Sequence, residues 1–214
     1  MRPDVKARAY NSEGRRRGAD DRRRRIVTAA RELFLERSYR GTTIDQIAGR
    51  AGVATETVYA AFGNKSKLLG RVMGIAIVGD EREVPLLERE WVREVRQEPD
   101  PKARLDRLCA MTATVLSRVG PLHAAVRSAL DGDAELAALK RTHDEMRYRG
   151  QLEFVRLLQD ALRPELSLEA ARDIYWALAS PELHHLLTVD RGWSSLRYRQ
   201  WLSSVLEPAL LRHR

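Results

Sequence analysis

The sequence predicts an all-α fold. Apolar side chains recur every three or four residues along most of its 214 residues, and glycines and prolines punctuate these runs. No segment up to residue 78 alternates apolar and polar residues with the period of two that a strand requires. In chain order, Asp20 or Asp21 can cap a first helix whose Ile26, Ala29, Ala30, Leu33 and Phe34 form one stripe, ended by Gly41. Thr42 or Thr43 can then cap a short helix burying Ile44, Ile47, Ala48 and Ala51, which Gly52 breaks. A second short helix runs from about Thr55 to Phe62 and stops at Gly63-Asn64. From Lys65 a longer helix places Leu68, Leu69, Val72, Met73 and Ala76 on one face.

Gly79-Asp80 and Pro85 mark a boundary. Beyond it, Leu87–Arg96 reads as a short helix stopped by Pro99 and Pro101. Helical patterns follow at about 102–118, 122–130, 133–161, 167–188 and 195–211, broken at Gly120-Pro121, Asp131-Gly132, Pro164 and Gly192. Ser180-Pro181 either caps a new helix or kinks an old one, and Pro208 bends or frays the last turn. Three regions result: a basic arm over 1–19, expected to be disordered, a domain of mostly short helices over 20–82, and a helical body over 83–214.

Composition narrows the function. A hydrophobic content of 43% is enough for a core, which excludes disorder of the whole chain. The single cysteine, Cys109, excludes a disulfide scaffold and fits a reducing compartment. The longest apolar candidate for a span, Val72 to Val78, is far short of the roughly 18 residues needed and contains Gly74. The charged N-terminus carries no apolar signal core, so a cytoplasmic protein is expected, with no membrane partner. No nucleophile–base pair, glycine-rich phosphate loop or carboxylate–histidine set suggests an enzyme, and no cofactor is implied. His184 and His185 point about 100° apart on a helix and chelate poorly, so no metal site is expected around Cys109 and His123.

The net charge of +8 is unevenly placed. Residues 1–71 hold 17 Lys+Arg against 8 Asp+Glu, and the rest of the chain is close to neutral. Arg15-Arg16-Arg17 and Arg22-Arg23-Arg24-Arg25 concentrate it. Such asymmetry points to a polyanion-binding N-terminal part on a near-neutral body.

Residues Thr43 to Phe62 have the spacing of a helix-turn-helix. Ala48 is small where two backbones approach, Gly52 tolerates the positive φ of the tight turn, and Ile44, Ile47, Ala51, Val53 and Val58 form the shared wedge. Thr55, Glu56, Thr57 and Tyr59 are left facing outward, as a helix entering a major groove requires.

From Arg24 to Leu69 the chain resembles the N-terminal domain of TetR-type (TetR/AcrR-like) transcriptional regulators. The features are Leu33-Phe34 ending the first helix, the Gly41-Thr42-Thr43 entry, Ile47-Ala48-x-x-Ala51-Gly52-Val53, Thr57-Val58-Tyr59-x-x-Phe62 and Lys65-x-x-Leu68-Leu69. The resemblance implies a ligand-responsive repressor that binds a palindromic operator in double-stranded DNA as a homodimer. It implies that Thr43 caps its helix and contacts a phosphate, that Thr57 and Tyr59 lie on the recognition helix, and that Lys65 binds phosphate. Two positions depart from the family pattern. Ala54 stands where a capping Ser is common, leaving Thr55 to take over that job, and Glu56 stands where a small residue is common. A carboxylate there either accepts from a cytosine amine or repels phosphate. The DNA-facing set is Arg22, Arg23, Arg24, Arg25, Thr42, Thr43, Thr55, Glu56, Thr57, Tyr59 and Lys65.

The resemblance also assigns the body to dimerisation and effector binding. Stripes in the last two helical patterns offer Leu183, Leu186, Leu187, Trp201, Leu202, Val205 and Leu206 as dimer-interface candidates. Cys109, Met111, His123, Met146, Phe154, Tyr175 and Trp176 could line a pocket for a largely apolar small molecule.

Overall fold

A computed structural model describes residues 5–80, 84, 88–127, 129–130 and 132–212. Among them it shows ten α-helices: α1 Val5–Arg37, α2 Ile44–Ala51, α3 Thr55–Phe62, α4 Lys65–Val78, α5 Glu90–Gln97, α6 Pro101–Arg127, α7 Ala134–Arg156, α8 Leu168–Leu178, α9 Pro181–His185 and α10 Ser195–Leu210. Among the described residues there is no strand beyond an isolated Leu162–Leu211 bridge, and no helix is long and apolar enough to cross a membrane.

Helix α1 begins much earlier than the Asp20-Asp21 cap predicts, so the arm expected to be disordered over 1–19 is helical from Val5. Residues 1–4 lie outside the described residues. Arginine and alanine, frequent between Val5 and Arg25, are strong helix formers, and Gly14 and Gly18 each subtract only about 1 kcal/mol.

The chain divides into two compact units, Met1–Met73 and Gly74–Arg214. The division falls inside α4, which continues through Gly74 to Val78.

In the first unit Ile26, Ala29, Ala30, Leu33 and Phe34 of α1 are buried together with Ile44, Ile47, Ala48, Ala51, Val58, Leu68 and Leu69. Gly41 is needed between α1 and α2, since a Cβ there would stand 2.2 Å from the Arg37 carbonyl oxygen.

In the second unit α6 packs against α10, α9 and α5, while α7 packs on α8. The break predicted at Gly120-Pro121 is absent, and α6 runs on to Arg127. Pro121 removes one internal hydrogen bond, and neighbouring helices hold the rod together across it. Gly120 lets α9 approach closely, with the His184 Nδ1 only 3.3 Å from where a Cβ would sit. Ser180 caps α9 by accepting from the Leu183 N–H, with Pro181 in the first turn, so this pair starts a helix. The pattern predicted over 167–188 is therefore two helices, α8 and α9, followed by a π-turn at Leu186–Asp190. At the base, Arg104 of α6 makes a bidentate pair with Asp160 (2.7 and 2.7 Å) and donates to the Leu157 carbonyl (2.9 Å). Arg163 N–H donates to Leu210 and Arg212 N–H to Ala161, which ties the chain end to the α7–α8 connection.

Candidate nucleic-acid interface

Helix α2 starts at a full capping box: Thr43 accepts from the Gln46 N–H, and the Gln46 side chain accepts from the Thr43 N–H. It ends at Gly52, whose φ of 64° lets the Gly52 and Val53 N–H groups turn back to the Gly49 and Ala48 carbonyls. That αL turn redirects the chain into α3. Val58 of α3 is buried and Phe62 half-buried, so the opposite face carries Glu56 and Tyr59 outward. Tyr59 is 51% exposed, an unusual placement for a large aromatic in a small domain. Thr57 is partly exposed on the same helix.

Three residues of the predicted DNA-facing set have other duties. Thr42 is fully buried and its hydroxyl donates to the Leu33 and Ser38 carbonyls (3.0 and 2.8 Å), so it locks the α1–α2 turn. Thr55 does not cap α3: Ala54 holds the cap position without a side-chain bond, and the Thr55 hydroxyl donates to Asp45 of α2 (2.8 Å). Lys65 points its ammonium at the Tyr39 and Thr42 carbonyls (3.0 and 2.9 Å), 4.2 Å from the Tyr39 ring centroid. The arginines Arg22, Arg23, Arg24 and Arg25 are exposed along α1, where Arg24 lies 3.5 Å from Asp21.

Sequence reasoning missed the clamp between α1 and α2. Arg50 makes a bidentate pair with Glu36 (2.6 and 2.9 Å) and lies 3.6 Å from Glu32. Each partner holds the other charged, the carboxyl of Glu36 lying below its ordinary range. A spacing of fourteen residues across a turn leaves no periodic signal to find.

In the second unit a cavity of about 340 Å³ opens among α4, α6, α7 and α8. Met111, His123, Met146, Phe154 and Tyr175 of the predicted set line it, with Thr112, His143, Arg147 and Gln151 adding polar handles. Tyr175 is buried and shares a 2.5 Å hydrogen bond with Thr112. Burial lowers the pKa of His123 and of His143, which favours their neutral forms. Cys109 and Trp176 do not line the cavity. Cys109 is fully buried, its thiol pKa pushed up to about 12 chiefly by that burial, and it fills core space. Trp176 packs edge-on to Tyr148 and beneath the Arg147 guanidinium. Among the described residues no cluster of His, Cys, Asp and Glu could hold a metal ion.

The dimer candidates divide as well. Leu202 and Leu206 are completely buried within the protomer, so they are core residues. Helix α10 packs against α6 and α8, and a stripe read from sequence cannot say whether the protomer itself covers it. Leu186 is 49% exposed, and Leu183, Leu187, Trp201 and Val205 are half-buried. Val189 and Leu196, exposed at 62% and 59%, were not among the candidates.

Residues 26–72 match the family model described as bacterial regulatory proteins, tetR family. The HTH-type transcriptional regulator HbdR of Aromatoleum sp. (strain CIB) is 39% identical over 66 residues, covering 31% of this chain and 29% of that protein. The HTH-type transcriptional activator FasR of Mycolicibacterium smegmatis is 40% identical over 58 residues, covering 27% of this chain and 26% of its own. The chain thus spans under a third of the length of these curated relatives. The fold likeness is longer. NalD, the secondary repressor of the MexAB-OprM multidrug efflux pump in Pseudomonas aeruginosa, aligns with a TM-score of 0.66 at 22% identity, over 92% of this chain and 100% of its own. A protein from Saccharomonospora viridis solved in complex with choline aligns with a TM-score of 0.65 at 21% identity, over 89% and 98% of the two chains. Residues 26–72 thus carry the pattern of the tetR family of bacterial regulatory proteins on a capped and glycine-turned helix pair, and the helical fold of the described residues is that of these solved proteins.

Proposed function

We propose that the protein is a sequence-specific transcriptional regulator of the ligand-responsive kind, a cytoplasmic repressor that binds a palindromic operator in double-stranded DNA as a homodimer. The observation that carries it is the outward face of α3, where Glu56 and Tyr59 stand exposed on a helix held by the Gly52 turn and flanked by the Arg22–Arg25 cluster. A pair of short helices reads few bases, and two copies can read half-sites about 34–36 Å apart. Leu186, Val189 and Leu196 offer an apolar surface for such pairing. The cavity of about 340 Å³ suits a small molecule, and a protein of the same fold was solved with one bound. A ligand there acts only by binding one conformation of the dimer better than the other.

The test is selection of bound duplexes from a random pool by the full chain. Enrichment of a palindromic consensus supports the reading. Equal retention of all sequences at moderate salt would mean a nonspecific binder and overturn it.

A further inference from the structure

The cavity described above has a neighbour in the same unit. A second cavity, of about 400 Å³, shares with it Ile77, Val78, Met111 and Val115. Trp91 on the second wall meets Phe154 on the first, their ring centroids 5.8 Å apart. A partition of a few side chains therefore separates the two, and one of them is the flexible Met111.

The second cavity is bordered by three arginines that are not equivalent. Arg89 is neutralised by a bidentate pair with Asp80 (2.9 and 2.9 Å). Arg107 lies 3.2 Å from Glu98 and 3.8 Å from Glu94. Arg118 has no carboxylate in ion-pair distance among the described residues, and its Nη2 donates to the Ile77 carbonyl (3.1 Å). Its seat is built into the backbone. Gly79 has a φ of 93°, and a Cβ there would lie 2.1 Å from the Arg118 Nη1. Burial and the like charge of Arg89 both act against the Arg118 cation, and Asp80 only partly offsets them. A guanidinium held in this way gains most from an anion brought to it. Arg147, the cation of the first cavity, is already engaged: it lies 4.5 Å from the Trp176 ring centroid and donates to the Trp176 carbonyl (3.0 Å).

Building on the ligand-responsive reading, we propose that the effector is an amphipathic anion. Its apolar tail fills the first cavity, and its carboxylate or phosphate head pairs with Arg118 in the second, the tail passing Met111.

Calorimetric titration of the full chain with four ten-carbon probes below their micellar concentrations tests this: decanoate, decyl phosphate, decanol and decyltrimethylammonium. Decanoate or decyl phosphate binding about tenfold or more tighter than decanol is expected, with the cation weakest, and the better of the two anions identifies the head group. Arg118→Gln should remove that advantage while leaving decanol affinity unchanged, which also certifies that the variant is folded. Arg118→Lys should keep part of it. The proposal is overturned if decanol matches both anions, if the preference survives Arg118→Gln, or if Arg147→Gln abolishes it instead. Those results leave the ligand-responsive reading standing, because decanol still binds. If none of the four binds, the head and tail assignments both fall, and ligand response is then judged by whether any small molecule releases the selected operator.

Discussion

Lys65, at the first position of α4, holds the carbonyls of Tyr39 and Thr42 on the far side of the turn between α1 and α2. One ammonium thus fixes the loop from which the reading helices hang. Lys65→Met should lower the urea midpoint by an amount equivalent to about 1–3 kcal/mol, the range for hydrogen bonds to a charged group. It should weaken operator binding at every salt concentration. If Lys65 served only as a phosphate contact, the midpoint would stay unchanged and the slope of log K against log salt would shrink by about 1.

Thr42 and Thr43 stand side by side with opposite accessibility. Thr42→Val keeps the shape of the buried side chain but leaves the Leu33 and Ser38 carbonyls without their donor, and a loss of about 1–3 kcal/mol in urea unfolding is expected. Thr43→Ala removes the cap of α2 and should cost about 1 kcal/mol. Only Thr43→Ala, at an exposed position, should also alter the salt dependence of DNA binding. A salt effect from Thr42→Val would place its hydroxyl on the DNA and contradict its burial.

The exposed reading face predicts effects on binding without effects on stability. Tyr59→Phe should weaken operator binding and leave thermal unfolding in place. Glu56→Ala separates two roles in one selection experiment: loss of preference at a single base pair means base readout, and a uniform gain in affinity means relief of phosphate repulsion. Replacing Arg22, Arg23, Arg24 and Arg25 with alanine should flatten the salt slope by up to about 3–4 if all four neutralise phosphates. An unchanged slope would remove the arm from the interface.

Dimerisation and core packing separate at Leu186 and Leu202. Leu186→Glu together with Val189→Asp, at exposed positions, should shift sedimentation towards the monomer at micromolar concentration with helix content retained. Leu202→Ala, at a fully buried position, should instead destabilise by about 2–5 kcal/mol. A dimer that survives the double substitution would move the interface elsewhere.

Acid sensitivity follows from His123, His143 and His184, whose pKa values burial lowers below the ordinary 6.5. In that case the unfolded chain binds more protons than the folded one as pH falls below about 6.5, so stability drops from there down through the folded values. The urea midpoint should be flat from pH 8 to 7 and fall by pH 5.5, and His143→Gln should reduce the fall. A midpoint independent of pH over this range would show that these rings protonate freely in the folded state.

The reading pair was legible because its constraints are local: the Thr43 cap, the Gly52 turn and the Ile44, Ile47, Ala51 stripe all lie within ten residues. Where the outcome depended on distant partners, the sequence was silent. Thr42 and Lys65 carry groups that suit a phosphate equally well, and only the fold shows carbonyls already in reach. Leu202 and Leu186 are both leucines of helical stripes, yet the folded unit covers the first completely and leaves the second 49% exposed. In the cavity, Met111 and Phe154 were foreseen from residue type, whereas Arg118 required the backbone at Gly79 to give it a place.

The sole thiol of the chain lies sealed within the core of the second unit, where burial keeps Cys109 protonated and unreactive. It is thereby a built-in clock for the opening of that unit. A thiol reagent can modify the chain only when the helices around Cys109 part, so the labelling rate measures how often they do. Any molecule that settles into the adjoining cavity slows that clock in proportion to how tightly it is held, with no operator or known target gene needed.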